Sequence, residues 1–78
     1  MPEFVIELRS PSDSLVATRE KMEEYIENGV DLGWLIDPAN QTVHVYRSNG
    51  EVEVLDDPEI VSGEDVLTGF ELNVREIW

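Results

Sequence analysis

Phe4-Val5-Ile6-Glu7-Leu8 and Leu32-Gly33-Trp34-Leu35-Ile36, with a helix-length segment between them, decide the fold. The first stretch alternates, with Phe4, Ile6 and Leu8 on one face and Val5, Glu7 and Arg9 on the other, as a strand does. The second is apolar almost throughout, as in a strand buried on both faces. Between them, Ser10-Pro11-Ser12-Asp13-Ser14 is a helix-start cluster: Ser10 could cap with Pro11 at the first helical position, or Ser12 or Asp13 could cap. The helix runs to about Glu27, and Asn28-Gly29 ends it. Leu15, Met22 and Ile26 lie within about 20° of one line along it, with Tyr25 beside them, so that stripe packs on a sheet. Lys21 sits at the edge of the buried face. Arg19 flanks the other side, its stem covering apolar surface while its head reaches water. Strand, helix, strand is a βαβ unit, whose crossover is right-handed and whose strands are parallel.

Working outward, Asp37-Pro38-Ala39-Asn40 is a turn and Val43-His44-Val45-Tyr46-Arg47 a third strand. Asn49-Gly50 is the strongest hairpin signal in the chain and leads to Glu51-Val52-Glu53-Val54-Leu55. Asp56-Asp57-Pro58-Glu59 ends that strand. Gly63 to Gly69 is expected to hold a short helical turn, and Phe70, Leu72 and Val74 alternate as a last short strand before Trp78. The expected architecture is a mixed α+β or α/β fold: a mixed sheet in β-α-β-β-β order with one main helix and a short C-terminal element. Trp34 reads as core and His44 as a packed or exposed sheet residue. The acids from Glu51 to Glu59 read as a solvated edge that discourages strand pairing.

Composition narrows the possibilities. A chain of 78 residues is one small domain at most, and a core of that size seldom supplies more than ~3–5 kcal/mol without staples. No cysteine and a single histidine exclude disulfides, thiolate metal sites and a multi-histidine zinc site within one chain. Eighteen acids against five bases give a net charge of −13. That opposes autonomous DNA binding, which depends on Lys and Arg displacing counterions from phosphates. Hydrophobic content of 41% is too high for a disordered acidic tail. No apolar run approaches the ~20 residues of a membrane span, and Met1-Pro2-Glu3 lacks the start of a signal peptide. A soluble cytoplasmic protein is expected.

Three residues could carry chemistry together. Glu7 and Arg9 share a strand face, and Lys21 stands on the following helix. A carboxylate beside a cation, joined by a second carboxylate, can hold Mg²⁺ through oxygen ligands. The metal lowers the pKa of a bound water and polarises a phosphate, while a lysine steadies developing charge. The plainer alternatives are a Glu7–Arg9 surface ion pair and a helix-edge Lys21 paired with Glu24.

The segment from Pro2 to Asp13 resembles the "PD-hydrophobic-E-x-x-S-x-S-D" pattern of the Uma-two family of restriction-endonuclease-like proteins. The likeness continues through Lys21, Tyr25, Gly29-Val30 and Gly33-Trp34-Leu35-Ile36-Asp37-Pro38. It then takes in Val43-His44-Val45-Tyr46-Arg47 and Gly63-Glu64-Asp65-Val66-Leu67-Thr68-Gly69-Phe70. No single piece is specific, but the ordered set is. It implies a metal-dependent PD-(D/E)XK nuclease core with Mg²⁺ as cofactor and Glu7 as metal ligand. The superfamily's lysine normally stands two residues after that glutamate, where this chain has Arg9; the family supplies it from the next helix, where Lys21 matches. Glu3 replaces the aspartate of a second Pro-Asp pair. The resemblance also implies another metal-binding aspartate upstream, so residues 1–78 are expected to be a single partial domain lacking the N-terminal part of the fold. Such a remnant or fragment would be inactive alone, with DNA a partner only of the complete parent domain. The competing reading is a non-catalytic assembly or protein-interaction module, in which a homodimer covers exposed apolar surface. A third is an acidic antagonist of a basic partner.

Overall fold

The computed structural model describes residues 3–78, so Met1 and Pro2 lie outside the described residues. Four strands, β1 (Phe4–Leu8), β2 (Leu32–Asp37), β3 (Thr42–Arg47) and β4 (Val52–Asp56), form one sheet in the order β1-β2-β3-β4. β1 runs parallel to β2, and the other two pairings are antiparallel. The helix α1 (Leu15–Glu27) makes the β1–β2 crossover. The mixed sheet with one helix is thus the observed architecture.

The helix start differs from every expected cap. Ser14 is the N-cap, its hydroxyl accepting from the Ala17 N–H at 3.3 Å. Ser10 and Asp13 are already bound to each other: the Asp13 N–H donates to the Ser10 carbonyl, and the Ser10 N–H to the Asp13 carboxylate, both at 3.0 Å. That local turn removes them from competition for the helix. At the other end Asn28 caps and Gly29 takes φ +100°, the left-handed conformation that glycine adopts without a Cβ penalty.

The sheet buries both faces. On one, Met22 of α1 packs with Leu35 and Tyr46, and Val5, Leu15, Tyr25 and Ile26 close around them. Gly33 permits this approach, since a Cβ there would stand 2.8 Å from the Met22 Cε. On the other face Leu32, Trp34, Ile36, Val43 and Val45 meet Val61 and Val74. Every residue of β2 is buried: the apolar run of residues 32–36 requires it, and Asp37 is held by Arg9 and Asn40.

The cover on that second face contains the expected last strand in shorter form, and adds a strand that was not expected. Ile60–Ser62 forms a strand, β5, pairing antiparallel with Glu71–Asn73, β6. Phe70 lies just before β6, and Val74 opens a 3₁₀ turn, Val74–Glu76. The three residues of β5 are too few for alternation to distinguish a strand from a loop. Between β5 and β6 the Leu67 N–H donates to the Gly63 carbonyl at 3.0 Å, a single helical turn that does not propagate.

The acidic edge is solvated as expected, but two of its acids also share a cation. Arg47 donates to Glu51 at 2.6 Å, to Glu53 at 2.9 Å and to Glu64 at 2.6 Å. Glu64 takes φ +56° to reach it. One cation thereby ties the β3–β4 hairpin to the segment after β5.

His44 is buried on the helix side of β3. Burial lowers its pKa from the ordinary 6.5, and Arg19 adds to the effect. The folded state therefore resists a proton that the unfolded chain accepts. Stability from His44 is fully present above about pH 6.5 and declines as pH falls toward the lowered folded value. Urea midpoints measured from pH 7.5 down to 5 should fall, and His44→Gln should flatten that slope.

Candidate functional site

Val5 and Glu7 of β1 lie on the sheet face that α1 covers, and the helix returns Lys21 and Tyr25 to Glu7. The Lys21 Nζ lies 3.2 Å from the Glu7 Oε1, and the Tyr25 hydroxyl donates to that same oxygen at 2.9 Å. Lys21 also stands 5.9 Å from the centre of the Tyr25 ring. Spacing explains the convergence: positions 21 and 25 are one helical turn apart on one face. Glu7 is half-buried and Lys21 more open, with side chains 26% and 54% accessible.

The hydrogen bond and charge of Glu7 raise the Lys21 pKa above its ordinary value, with Tyr25 adding to the effect. Lys21 is therefore a fixed cation at neutral pH. It suits charge stabilisation and hydrogen-bond donation rather than proton abstraction. Glu7 and Lys21 border an open cleft together with Leu8, Asp13, Ser14, Ala17 and Thr18. The Asp13 pKa is lowered, chiefly by the Ser10 backbone N–H, so a second negative charge borders the cleft.

Arg9 does not join this cluster. Its Nη1 donates to the Asp37 Oδ1 at 2.9 Å, so the simple Glu7–Arg9 pair gives way to a longer-range one. Asp37 closes β2, parallel to β1, and the Arg9 N–H donates to the Ile36 carbonyl at 2.9 Å, which brings the two side chains alongside. Lys21, in turn, pairs with Glu7 across the sheet–helix junction rather than with Glu24. Tyr25 and Asp37 were legible only as a packing residue and a turn residue. The periodicity that placed Lys21 beside Glu7 could also have placed Tyr25 there.

No group of three or more metal-ligating side chains lies together among the described residues. Glu7 offers a single carboxylate, and one of its oxygens already accepts from Tyr25 and Lys21. Mg²⁺ demands near-octahedral oxygen ligation. A single, internally neutralised carboxylate does not fit a magnesium ion held by these residues alone.

The mixed sheet with its single covering helix is a nuclease-like fold. A solved structure with this fold is the crystal structure described as "a putative nuclease belonging to DUF820" from Anabaena variabilis ATCC 29413. It matches with a TM-score of 0.81 and 33% sequence identity, over 96% of this chain and 42% of that one. This chain thus spans less than half the length of that relative. The Uma2 family, described as "Putative restriction endonuclease", matches residues 1–75. The chain belongs to the Uma2 family. No curated protein matches it. Among the described residues no helix is long and apolar enough to cross a membrane.

Proposed function

We propose that this chain is one part of the catalytic core of a metal-dependent DNA endonuclease and does not cleave DNA by itself. The observation that carries this reading is the meeting of Glu7 and Lys21 at 3.2 Å beside an open cleft, in a chain of the Uma2 family. Glu7 is the carboxylate that would face a divalent cation such as Mg²⁺. The remaining ligands would come from protein outside these residues. Lys21, held protonated, would steady negative charge on the scissile phosphate. Tyr25 would fix the rotamer of Glu7. Arg9, committed to Asp37, would act as a positioning residue behind β1.

Two features support inactivity in isolation: the donor set does not fit the metal, and a net charge of −13 repels the DNA backbone. A supercoiled-plasmid assay with Mg²⁺ or Mn²⁺ should show no nicking above background. Cleavage by the isolated chain, abolished by Glu7→Ala, would overturn the claim. The nuclease reading has its own test. Residues 1–78 are substituted for the matched segment of the Anabaena relative, in a fusion that keeps the rest of that protein. The fusion should nick plasmid with Mg²⁺, and Glu7→Gln or Lys21→Met should reduce cleavage by about a hundredfold or more, the scale of losing an electrostatic stabiliser. Undiminished cleavage by both variants would sink the assignment of Glu7 and Lys21.

A further inference from the structure

We propose that Asn49 is a self-modification site. The Gly50 nitrogen attacks the Asn49 carboxamide, expels ammonia and leaves isoaspartate or aspartate in the β3–β4 turn. Asn28-Gly29, the same dipeptide at the end of α1, is held back by the helix.

The chemistry needs two adjacent residues and water. The Gly50 backbone nitrogen forms a bond to the Asn49 Cγ, and the bond from Cγ to Nδ2 breaks. The glycine proton passes through solvent to the departing nitrogen, which leaves as ammonia. Water then adds across one of the two ring C–N bonds of the five-membered imide. Opening at the side-chain carbonyl gives aspartate. Opening at the main-chain carbonyl gives isoaspartate, whose backbone runs through Cβ and Cγ. No atom is oxidised or reduced. Glycine in second place matters because no Cβ obstructs its nitrogen. The chain has two such pairs, Asn28-Gly29 and Asn49-Gly50. All four residues are exposed, so accessibility does not choose between them.

Hydrogen bonding does. In the turn, the Glu51 N–H donates to the Asn49 Oδ1 at 2.8 Å. Such a bond from the backbone two residues on folds the carboxamide forward over the intervening residue, here Gly50. It also draws electrons from Cγ and meets the negative charge that gathers on Oδ1 as the nitrogen adds. One bond opposes the attack, from the Gly50 N–H to the Arg47 carbonyl at 3.0 Å. It lies at an exposed tip formed by Ser48, Asn49, Gly50 and Glu51, where solvent-facing backbone bonds open at small local cost.

At the helix end the equivalent donor is already engaged. The Val30 N–H, two residues after Asn28, donates to the Tyr25 carbonyl at 3.1 Å. The Gly29 N–H donates to the Ile26 carbonyl at 3.1 Å, and the Asn28 N–H to the Glu24 carbonyl at 3.0 Å. Val30 is 1% accessible. Freeing the Gly29 nitrogen therefore means unwinding the last turn of α1 and disturbing a core residue.

The product has a structural consequence. Isoaspartate adds a backbone carbon inside a turn whose length sets the β3–β4 register, which starts with Tyr46 opposite Val52. It weakens the hairpin and adds a negative charge.

The inference stands apart from the nuclease reading, and its test reads mass and charge rather than cleavage. The folded chain is incubated at mildly alkaline pH, and peptide mapping follows isoaspartate and aspartate at each asparagine. Asn49 should convert about tenfold faster than Asn28, the scale of one or two hydrogen bonds. In urea the structural difference is removed, and the two rates should converge. Asn49→Ser should reduce ammonia release from the folded chain to the slow Asn28 level. Four results overturn the proposal: no conversion at Asn49, conversion of Asn28 as fast as Asn49 in the folded chain, an Asn49 preference that persists unchanged in urea, or ammonia release indifferent to Asn49→Ser.

Discussion

Trp34→Ala should leave most of the chain unfolded in plain buffer at room temperature. Trp34 is fully buried at the centre of β2, with Phe4 edge-to-face at 4.9 Å and Phe70 stacked at 6.1 Å. Truncating a buried tryptophan costs about 3–5 kcal/mol. A core of this size supplies about the same amount in total, so the loss consumes the whole margin. The indole adds a second point. Its Nε1 is buried without a hydrogen-bond partner, and such a donor carries a desolvation penalty of about 1–3 kcal/mol. Trp34→Phe removes that donor while keeping most of the ring contacts, so it should remain folded. Urea titrations followed by far-UV circular dichroism distinguish the two. Equal midpoints for the alanine and phenylalanine variants would show that the ring contacts phenylalanine keeps do not hold the site together, and would overturn the packing argument.

The parts of this fold that could be read from sequence are those with strong local patterns. β2 announces itself because an unbroken apolar run has one plain solution, a strand covered on both faces. The Asn49-Gly50 hairpin and the Asn28-Gly29 helix stop follow from backbone preferences local to a few residues. Lys21 could be placed at the margin of α1 by helical periodicity alone, and Glu7 by strand alternation. β5 was illegible because a three-residue strand derives from its pairing with β6, not from its own pattern, whereas the alternation of Phe70, Leu72 and Val74 did mark the strand that forms β6. The true cap, Ser14, stood last in a row of competing caps, and the turn between Ser10 and Asp13 made the choice. Long-range polar contacts were hidden for the same reason. Arg47 bonded to Glu64 and Arg9 bonded to Asp37 join residues 17 and 28 positions apart, and nothing in local sequence marks such partners. The candidate site was therefore half legible: its acid and its lysine, but neither Tyr25's hydroxyl nor the diversion of Arg9.

Asp37→Ala should lose about 3–5 kcal/mol, the scale of breaking a buried ion pair from one side. Asp37 is 1% accessible and Arg9 15%. The Asp37 carboxylate accepts from Arg9 at 2.9 Å and from Asn40 at 2.8 Å, while the Arg9 Nε is already buried without a partner. Alanine would leave a guanidinium largely out of water with no counter-charge. Removing both charges removes that penalty, so Arg9→Met with Asp37→Leu should recover most of the loss, and a double-mutant cycle on urea midpoints measures the coupling. Acid supplies an independent check. Burial alone would push the Asp37 carboxyl up, but the Asn40 and Arg9 hydrogen bonds outweigh it and hold its pKa below the ordinary 3.8. The unfolded chain therefore takes up this proton first. The contribution is fully present above the unfolded value and is lost as pH falls through the folded one. Wild type and the double variant should then diverge below about pH 4, the double variant losing stability less steeply. Glu64, lowered by Arg47, and Asp13, lowered by Ser10, supply the slope both retain. Parallel acid profiles would show that the Arg9–Asp37 pair contributes nothing, and would release Arg9 from its structural role into the neighbourhood of Glu7.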